Sequence, residues 1–258
     1  MMGRIWALFL RYMYQFLKPD QFSEFFYWPA IDIFLWGMTS VWIQHQDPGS
    51  HLAAAILTGL IFWQILWRAS FEITMSLLQE FWNRNLVNLF STPLKLHEWI
   101  FSLLFLGSVK IVISLLFGSL FVYILYSLNV FSLGWIFLPY AALLMLSGWF
   151  IGFLAAGIMI CYGQRTQSLA WMTAYLFAPF SAVFYPVEVL PTWAQKIAYC
   201  LPTTYVFEGM RQLLLTQLFS WQPILMSLGL NVLYLGASIT FFVVMFEKSR
   251  NKGLSRLE

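Results

Sequence analysis

Long apolar stretches alternate with short polar ones along this chain. A membrane-spanning helix needs roughly 20 mostly apolar residues, because its backbone amides must all find partners inside the helix. Six windows meet that requirement: residues 25–44, 52–79, 99–126, 135–161, 168–185 and 223–246. The pattern therefore predicts an all-α membrane protein in which residues 1–258 form a single transmembrane domain with six spans.

Composition supports this interpretation. Of the 258 residues, 60% are hydrophobic and only 10% are charged, whereas soluble domains carry roughly 25% charged residues. The connections between spans, such as residues 45–51 and 127–134, are too short to form a soluble domain with its own core. The net charge of +3 comes with no basic patch or motif for nucleic acid, so we expect no nucleic-acid partner.

The distribution of lysine and arginine indicates the orientation. Basic residues that flank spans are retained on the cytoplasmic side, and six spans place both termini on one side. Ten of the fourteen cations then share that side: Arg4, Arg11, Lys18, Arg84, Lys95, Arg165, Lys248, Arg250, Lys252 and Arg256. We therefore expect both termini in the cytoplasm, in a multi-pass protein of a bacterial-type inner membrane.

Two cytoplasmic segments have an amphipathic pattern. In residues 1–18 the basic residues fall on one stripe of a helix, which predicts a helix lying in the membrane interface until Pro19 ends it. In residues 79–90, polar residues recur every four positions opposite large apolar ones. This predicts a short helix across the loop, followed by Thr92 as N-cap and Pro93 as the first residue of the third span.

Residues 186–218 are too apolar for a surface loop and too interrupted by proline for a span. Thr192 and Gln195 match a capping box, so a short helix is predicted to begin there and to end before Pro202. A second helix is predicted from about Thr204. We interpret the segment as an outer re-entrant pair of half-helices, which requires surrounding protein or a water-filled cavity; a structural hairpin on the outer surface is the alternative.

Four charges fall inside predicted spans: Asp32, Arg68, Glu72 and Lys110. Each costs roughly 2.5–3.5 kcal/mol on insertion scales, so they should pair and face protein or water. Their positions along the spans put Asp32 and Arg68 at overlapping depths, which makes these two the preferred pair. In the fourth span, Gly148 and Gly152 form a GxxxG pattern that we expect to pack against another helix of the same subunit, with a seam between two subunits as the alternative.

Two stretches resemble one known family. "FYPVEVLPTWAQKIAYCLPTTYVFEGMRQLL" is similar to the signature of type-2 ATP-binding-cassette (ABC) exporter permeases, with its Phe-Tyr-Pro step, Leu-Pro-x-Trp, Leu-Pro-x-Thr-Tyr and Glu-x-x-Arg. "NLVNLFSTPLKLHEW" resembles the same family's cytoplasmic stretch before the third span. One departure is Ser181-Ala182, where the family often has Ser-Gly, which puts a left-handed backbone at that point in doubt.

The resemblance implies the transmembrane subunit of an ABC exporter that moves an amphipathic or lipid-linked substrate outward. Its partners would be a second copy of itself or a related permease, two ABC ATPase subunits and membrane lipid. The chain has no G-x-x-x-x-G-K-[ST] motif, so ATP and magnesium are expected in the partner ATPase and no cofactor or metal in this chain.

The resemblance also assigns roles to residues. Those expected to couple to the ATPase are Glu80, Arg84, Asn85, Asn88, Thr92 and Pro93. Those expected in the outer gate are Tyr185, Pro186, Glu188, Pro191, Trp193, Pro202, Tyr205, Glu208 and Arg211, with Glu208 and Arg211 close enough in sequence to pair.

Two other functions remain open on the sequence. A proton-coupled secondary transporter would use Asp32 and Glu72. A membrane-embedded enzyme acting on lipid would need an acid-base pair or a metal cluster. Because His97-Glu98 lacks the second histidine of H-E-x-x-H, we expect no catalytic residue in this chain.

Overall fold

The computed structural model describes residues 2–46 and 52–253, and in this part of the chain all regular structure is helical. The prediction of an all-α fold is confirmed. The helices are α1 Met2–Phe16, α2 Pro19–Gln46, α3 Leu52–Trp82, α4 Leu86–Ser91, α5 Leu96–Tyr126, α6 Phe137–Tyr162, α7 Leu169–Phe177, α8 Thr192–Ala198, α9 Pro202–Thr216 and α10 Gln222–Asn251. Most of the predicted outer loop at residues 45–51 lies outside the described residues, as does Arg256.

Four of the described helices, α3, α5, α6 and α10, are long and apolar enough to cross a membrane. The described residues thus yield fewer clear spans than the six predicted. Helix α2 has sufficient length at 28 residues. Helix α7 has only nine residues, about 13 Å at helical rise, so the predicted fifth span at 168–185 is not one continuous helix.

The centre of the bundle is the packing of α6 between α3 and α10. Gly148 and Gly152 lie where α6 meets α3: an added Cβ at Gly148 would be 2.4 Å from the Ala69 Cβ, and one at Gly152 would be 2.9 Å from the Ser70 carbonyl. The glycines therefore let two backbones approach closely within one subunit, as predicted. On the α10 side, an added Cβ at Gly157 would lie 2.6 Å from the ring of Phe241.

Helices α1 and α4 lie against the start of α5 and the ends of α3 and α10. We call this region the α1 end of the bundle. The rings of Phe90 on α4 and Phe246 on α10 are 4.6 Å apart, and Trp6 and Phe9 of α1 continue an aromatic cluster toward Phe105. The opposite region, where α9 packs against the starts of α6 and α10, is the α9 end.

The predicted start of the third span is wrong. Thr92 ends α4 instead, in extended conformation, because a residue before proline is disfavoured in helical geometry. Helix α5 begins only at Leu96, and the Glu98 carboxylate accepts a hydrogen bond from the Lys95 backbone N–H at 3.0 Å. That contact satisfies one of the free N–H groups at the start of the helix.

The predicted loop helix at 79–90 is also divided differently. Helix α3 continues to Trp82, the chain turns at Asn83–Asn85, and α4 covers only Leu86–Ser91. The turn includes Arg84 with φ of 49°, a left-handed conformation that stops α3 from running into α4. Glu80 therefore belongs to the long helix α3 and lies in the interior.

Candidate functional site

A cavity of about 670 Å³ opens between α2, α3 and α7, and the end of α1 and Lys110 of α5 complete its wall. Nine of its twenty lining residues are aromatic and six are charged. The volume falls within the range of roughly 300–1,000 Å³ that is typical of small-molecule sites. The cavity therefore has the size and the mixed lining of a binding site or a route.

All four predicted intramembrane charges line this cavity, but the predicted partners are wrong. Lys110 Nζ lies 2.7 and 2.9 Å from the two carboxylate oxygens of Glu72, and both side chains are largely buried. The ion pair thus joins α3 to α5. Charges at equal depth pair only when the helices turn them toward each other, and depth along the chain does not give that rotation.

Arg68 is held by an aromatic residue instead of by Asp32. Its guanidinium carbon lies 3.9 Å from the centroid of the Phe25 ring, and Nη2 donates to the Phe25 carbonyl at 3.1 Å. Asp32 accepts a hydrogen bond from Gln64 Nε2 at 3.1 Å. Arg68 thereby links α3 to α2 through a cation–π contact and a hydrogen bond to the backbone.

A second polar cluster, at the α1 end, is centred on the carboxylate of Glu80. Its oxygens accept hydrogen bonds from Arg11 at 2.8 Å, Tyr12 at 2.7 Å and Asn85 at 2.7 Å. The Tyr12 hydroxyl in turn accepts a bond from Trp99 Nε1 at 3.0 Å. We call these five residues the Glu80 cluster. It fastens α1, α3, the turn before α4 and the start of α5 to one another.

Burial fixes the protonation of Tyr12 in the Glu80 cluster. Desolvation raises the pKa of Tyr12 well above its ordinary value, and the neighbouring Glu80 carboxylate raises it further. Tyr12 therefore stays a neutral hydroxyl that donates to Glu80 while accepting from Trp99. A carboxylate with several charge-assisted donors is among the strongest polar arrangements in an interior.

The residues predicted to couple to an ATPase fall into two groups. Glu80 and Asn85 lie inside the Glu80 cluster, whereas Arg84, Asn88, Thr92 and Pro93 are exposed. The side chain of Arg4 also donates to the Pro93 carbonyl. The exposed residues therefore adjoin the Glu80 cluster along the chain, at the turn from α3 to α4.

At the α9 end, the ion pair between Glu208 and Arg211 is confirmed, with Nη1 and Oε1 2.6 Å apart. The same two side chains also bond to the irregular backbone after α7. Arg211 Nη2 donates to the Ala182 carbonyl at 2.6 Å, and Glu208 accepts from the Val187 N–H at 2.9 Å. The pair thus satisfies backbone groups that no helix satisfies.

Two details of this segment differ from the sequence reasoning. Ala182 adopts φ of 54°, so the left-handed backbone persists although alanine replaces glycine there. The capping box does not form, because the N-cap of α8 is Pro191 and Gln195 donates instead to the Leu190 carbonyl at 2.8 Å. Thr192 therefore lies inside the first turn, where its hydroxyl cannot act as the N-cap acceptor.

The remaining predicted gate residues differ in exposure. Pro186, Glu188, Pro191 and Trp193 are exposed, Tyr185 and Tyr205 are half-buried, and Pro202 is buried. The hydroxyls of both tyrosines donate to nearby backbone carbonyls, Tyr185 to Pro179 and Tyr205 to Tyr199. The segment is therefore internally bonded and has an exposed outer face.

Sequence reasoning missed several residues that the structure makes important. Gln64 and Trp99 each partner a residue distant in sequence, and Asn231 on α10 links to α6 by accepting from Ser147 at 2.8 Å and donating to the Leu143 carbonyl at 3.2 Å. A polar amide inside an apolar window was a usable signal for Gln64 and Asn231. No local signal marked Trp99, because its partner is on a separate helix.

Comparison with known proteins gives one family. The model of the ABC-2 type transporter family matches residues 3–215, from the start of α1 almost to the end of α9. No curated protein matches the chain.

Proposed function

Since the chain belongs to the ABC-2 type transporter membrane family, we propose that it is the permease of an exporter in which two copies enclose a route and two separate ATPases drive it. The cavity between α2, α3 and α7 is the observation that carries this proposal. A route between two subunits requires each to contribute a concave, partly polar wall. The cavity provides such a wall.

The margins of this cavity are suited to contact with a second copy of the chain. Large apolar side chains on α2 and α7 remain exposed: Trp28 and Tyr175 line the cavity, and Tyr27, Met172 and Leu176 lie elsewhere on the same two helices. In an isolated subunit such residues would contact lipid, whereas in a dimer the second subunit would cover them. With the second copy in place, the two cavities face each other as one conduit across the membrane.

The input from the ATPase is the exposed face made by Arg84, Asn88, Thr92 and Pro93. The Glu80 cluster beneath it ties this face to α1, α3 and α5, two of which cross the membrane by length and composition. A push on α4 therefore moves these helices together. The packed elements respond as a unit because a close-packed interior transmits displacement.

The 186–218 segment is the outer gate in this proposal. Helices α2, α3, α5, α6, α10 and the broken stretch that begins with α7 give six crossings, with α8 and α9 re-entering from outside. Glu208 and Arg211 support this interpretation, since they satisfy the backbone of residues 182–187 without water. Both termini are then cytoplasmic, in a bacterial-type inner membrane. The proposed substrate is amphipathic or lipid-linked, and the proposed transport is outward through the outer gate.

The proposal is tested by recovering the tagged chain from its native membrane in mild detergent. We expect a protein with a P-loop nucleotide-binding motif to co-purify, and we expect Arg84→Glu to reduce its recovery about tenfold, the effect of roughly 1.4 kcal/mol at an interface. Lys252→Glu is the matched control, since it makes the same charge change at an exposed position at the α1 end. If no such ATPase is recovered with the wild-type chain, the proposed function is wrong.

A further inference from the structure

The charge of the cavity carries information about what it accepts. Its six charged lining residues are four acids and two bases: Asp20, Glu24, Asp32 and Glu72 against Arg68 and Lys110. The formal charge of the lining is therefore −2, although the whole chain has a net charge of +3. The cavity is the acidic part of a basic protein.

The two bases present little positive charge to the cavity. Lys110 is neutralised by both oxygens of Glu72. Arg68 is only 5% exposed and lies against the face of the Phe25 ring. Its Nε is buried and has no hydrogen-bond partner among the described residues, so it is a cationic donor that could accept an anion at this point of the lining.

The acids on α2 form no ion pairs, although Glu24 is close enough to Arg68 to interact with it electrostatically. Within residues 2–46 and 52–253, no ion pair includes Asp20, Glu24 or Asp32. Asp32 is half-buried and accepts its hydrogen bond from the neutral amide of Gln64. A carboxylate at that depth is costly without a cation, and the cavity in front of it has room for one.

Aromatic rings provide the second, independent feature. Those that line the cavity include Trp28, Trp63, Trp67, Phe71, Trp171 and Tyr175. The faces of such rings carry negative potential and attract cations, with organic ammonium ions as the best-known ligands. The apolar surface of these rings also favours a ligand with apolar groups. A ring-lined acidic cavity therefore favours a ligand that is both apolar and positive.

We propose that this cavity binds amphipathic organic cations, which become the substrate class of the exporter. That the bound molecule is transported rests on the proposed function. That it is a cation rests on the cavity alone. Anionic lipid-linked substrates are disfavoured, because their phosphates would meet the carboxylates of Asp20, Glu24 and Asp32 on α2. Asp32, the deepest of these in the apolar sequence, is the specificity residue.

The test compares two probes of the same shape and opposite charge, tetraphenylphosphonium and tetraphenylborate. Binding is measured by equilibrium dialysis on the purified chain in lipid nanodiscs, with empty nanodiscs subtracted. We expect the cation to bind more tightly, and Asp32→Asn to weaken it by about tenfold or more, as expected for loss of one partly buried charged partner. Glu24→Gln, at an exposed position, is a second variant in case Asp32→Asn does not fold.

Glu247→Gln is the matched control, because it removes a carboxylate on α10 that does not line the cavity; its affinity should equal that of the wild type. Tighter binding of tetraphenylborate than of tetraphenylphosphonium would overturn the inference. So would unchanged cation affinity in folded Asp32→Asn and Glu24→Gln. Recovery of an ATPase is independent of these results, so a chain that captures the ATPase but prefers the anion contradicts only this inference.

Discussion

Breaking the ion pair between Glu72 and Lys110 should destabilise the protein more than removing it entirely. The single variants Glu72→Gln and Lys110→Met each leave one charge buried without its partner. The double variant leaves two neutral side chains of similar size. Its glutamine amide at position 72 would keep an acceptor for the Ser76 hydroxyl, which lies 3.4 Å from Glu72 Oε1.

The magnitude follows from the burial of the pair. The side chains of Lys110 and Glu72 are 11% and 8% exposed, and removal of one partner from a buried pair costs about 3–5 kcal/mol. Because the pair borders a cavity that water can enter, we expect the lower value. A loss of about 3 kcal/mol corresponds to a fall of roughly 6–12 °C in the unfolding temperature for a chain of this size. The double variant should recover most of it.

The measurement is the apparent unfolding temperature in detergent, read as the fraction that remains monodisperse after heating. Glu247→Gln is the control, since the pair between Glu247 and Arg250 is exposed and such pairs contribute about 0–1 kcal/mol. The reasoning is refuted if both single variants match this control. It is equally refuted if the double variant falls as far as the sum of the two single changes.

Three further substitutions test the packing and the polar clusters by the same heating assay. Gly148→Ala should lower the unfolding temperature, because its Cβ would meet Ala69 at 2.4 Å and overpacking costs about 1–3 kcal/mol; Gly236→Ala, with open space around it, should have no such effect, and equal losses would contradict the packing. Ala182→Val should lower the unfolding temperature and Ala182→Gly should not. The reason is that φ there is 54°, and a left-handed backbone costs a residue with a side chain about 1–2 kcal/mol. A lower unfolding temperature for Ala182→Gly than for Ala182→Val would contradict this backbone conformation. Tyr12→Phe should reduce the free energy of unfolding by about 1–3 kcal/mol, because Glu80 loses one hydrogen-bond donor. It should also increase protease cleavage within α1. Unchanged cleavage would show that other contacts hold α1.

Much of the architecture follows from local patterns in the sequence. The apolar windows indicated a helical membrane protein, the GxxxG spacing indicated close packing of α6, and the i,i+3 spacing of Glu208 and Arg211 indicated their ion pair. Each of these depends on the pitch of one helix, which the sequence determines directly. The resemblance of two motifs to a known family was confirmed by the family match.

Other features depend on how the helices are placed. The sequence could not pair Lys110 with Glu72, because that choice depends on the rotation of α3 and α5 about their axes. Nor could it show that Arg211 would bond to the carbonyl of Ala182, or that Tyr12 would connect Glu80 to Trp99. Helical periodicity is a property of neighbouring residues. The partner of a buried charge, or of a backbone carbonyl outside a helix, is determined only when distant helices pack together.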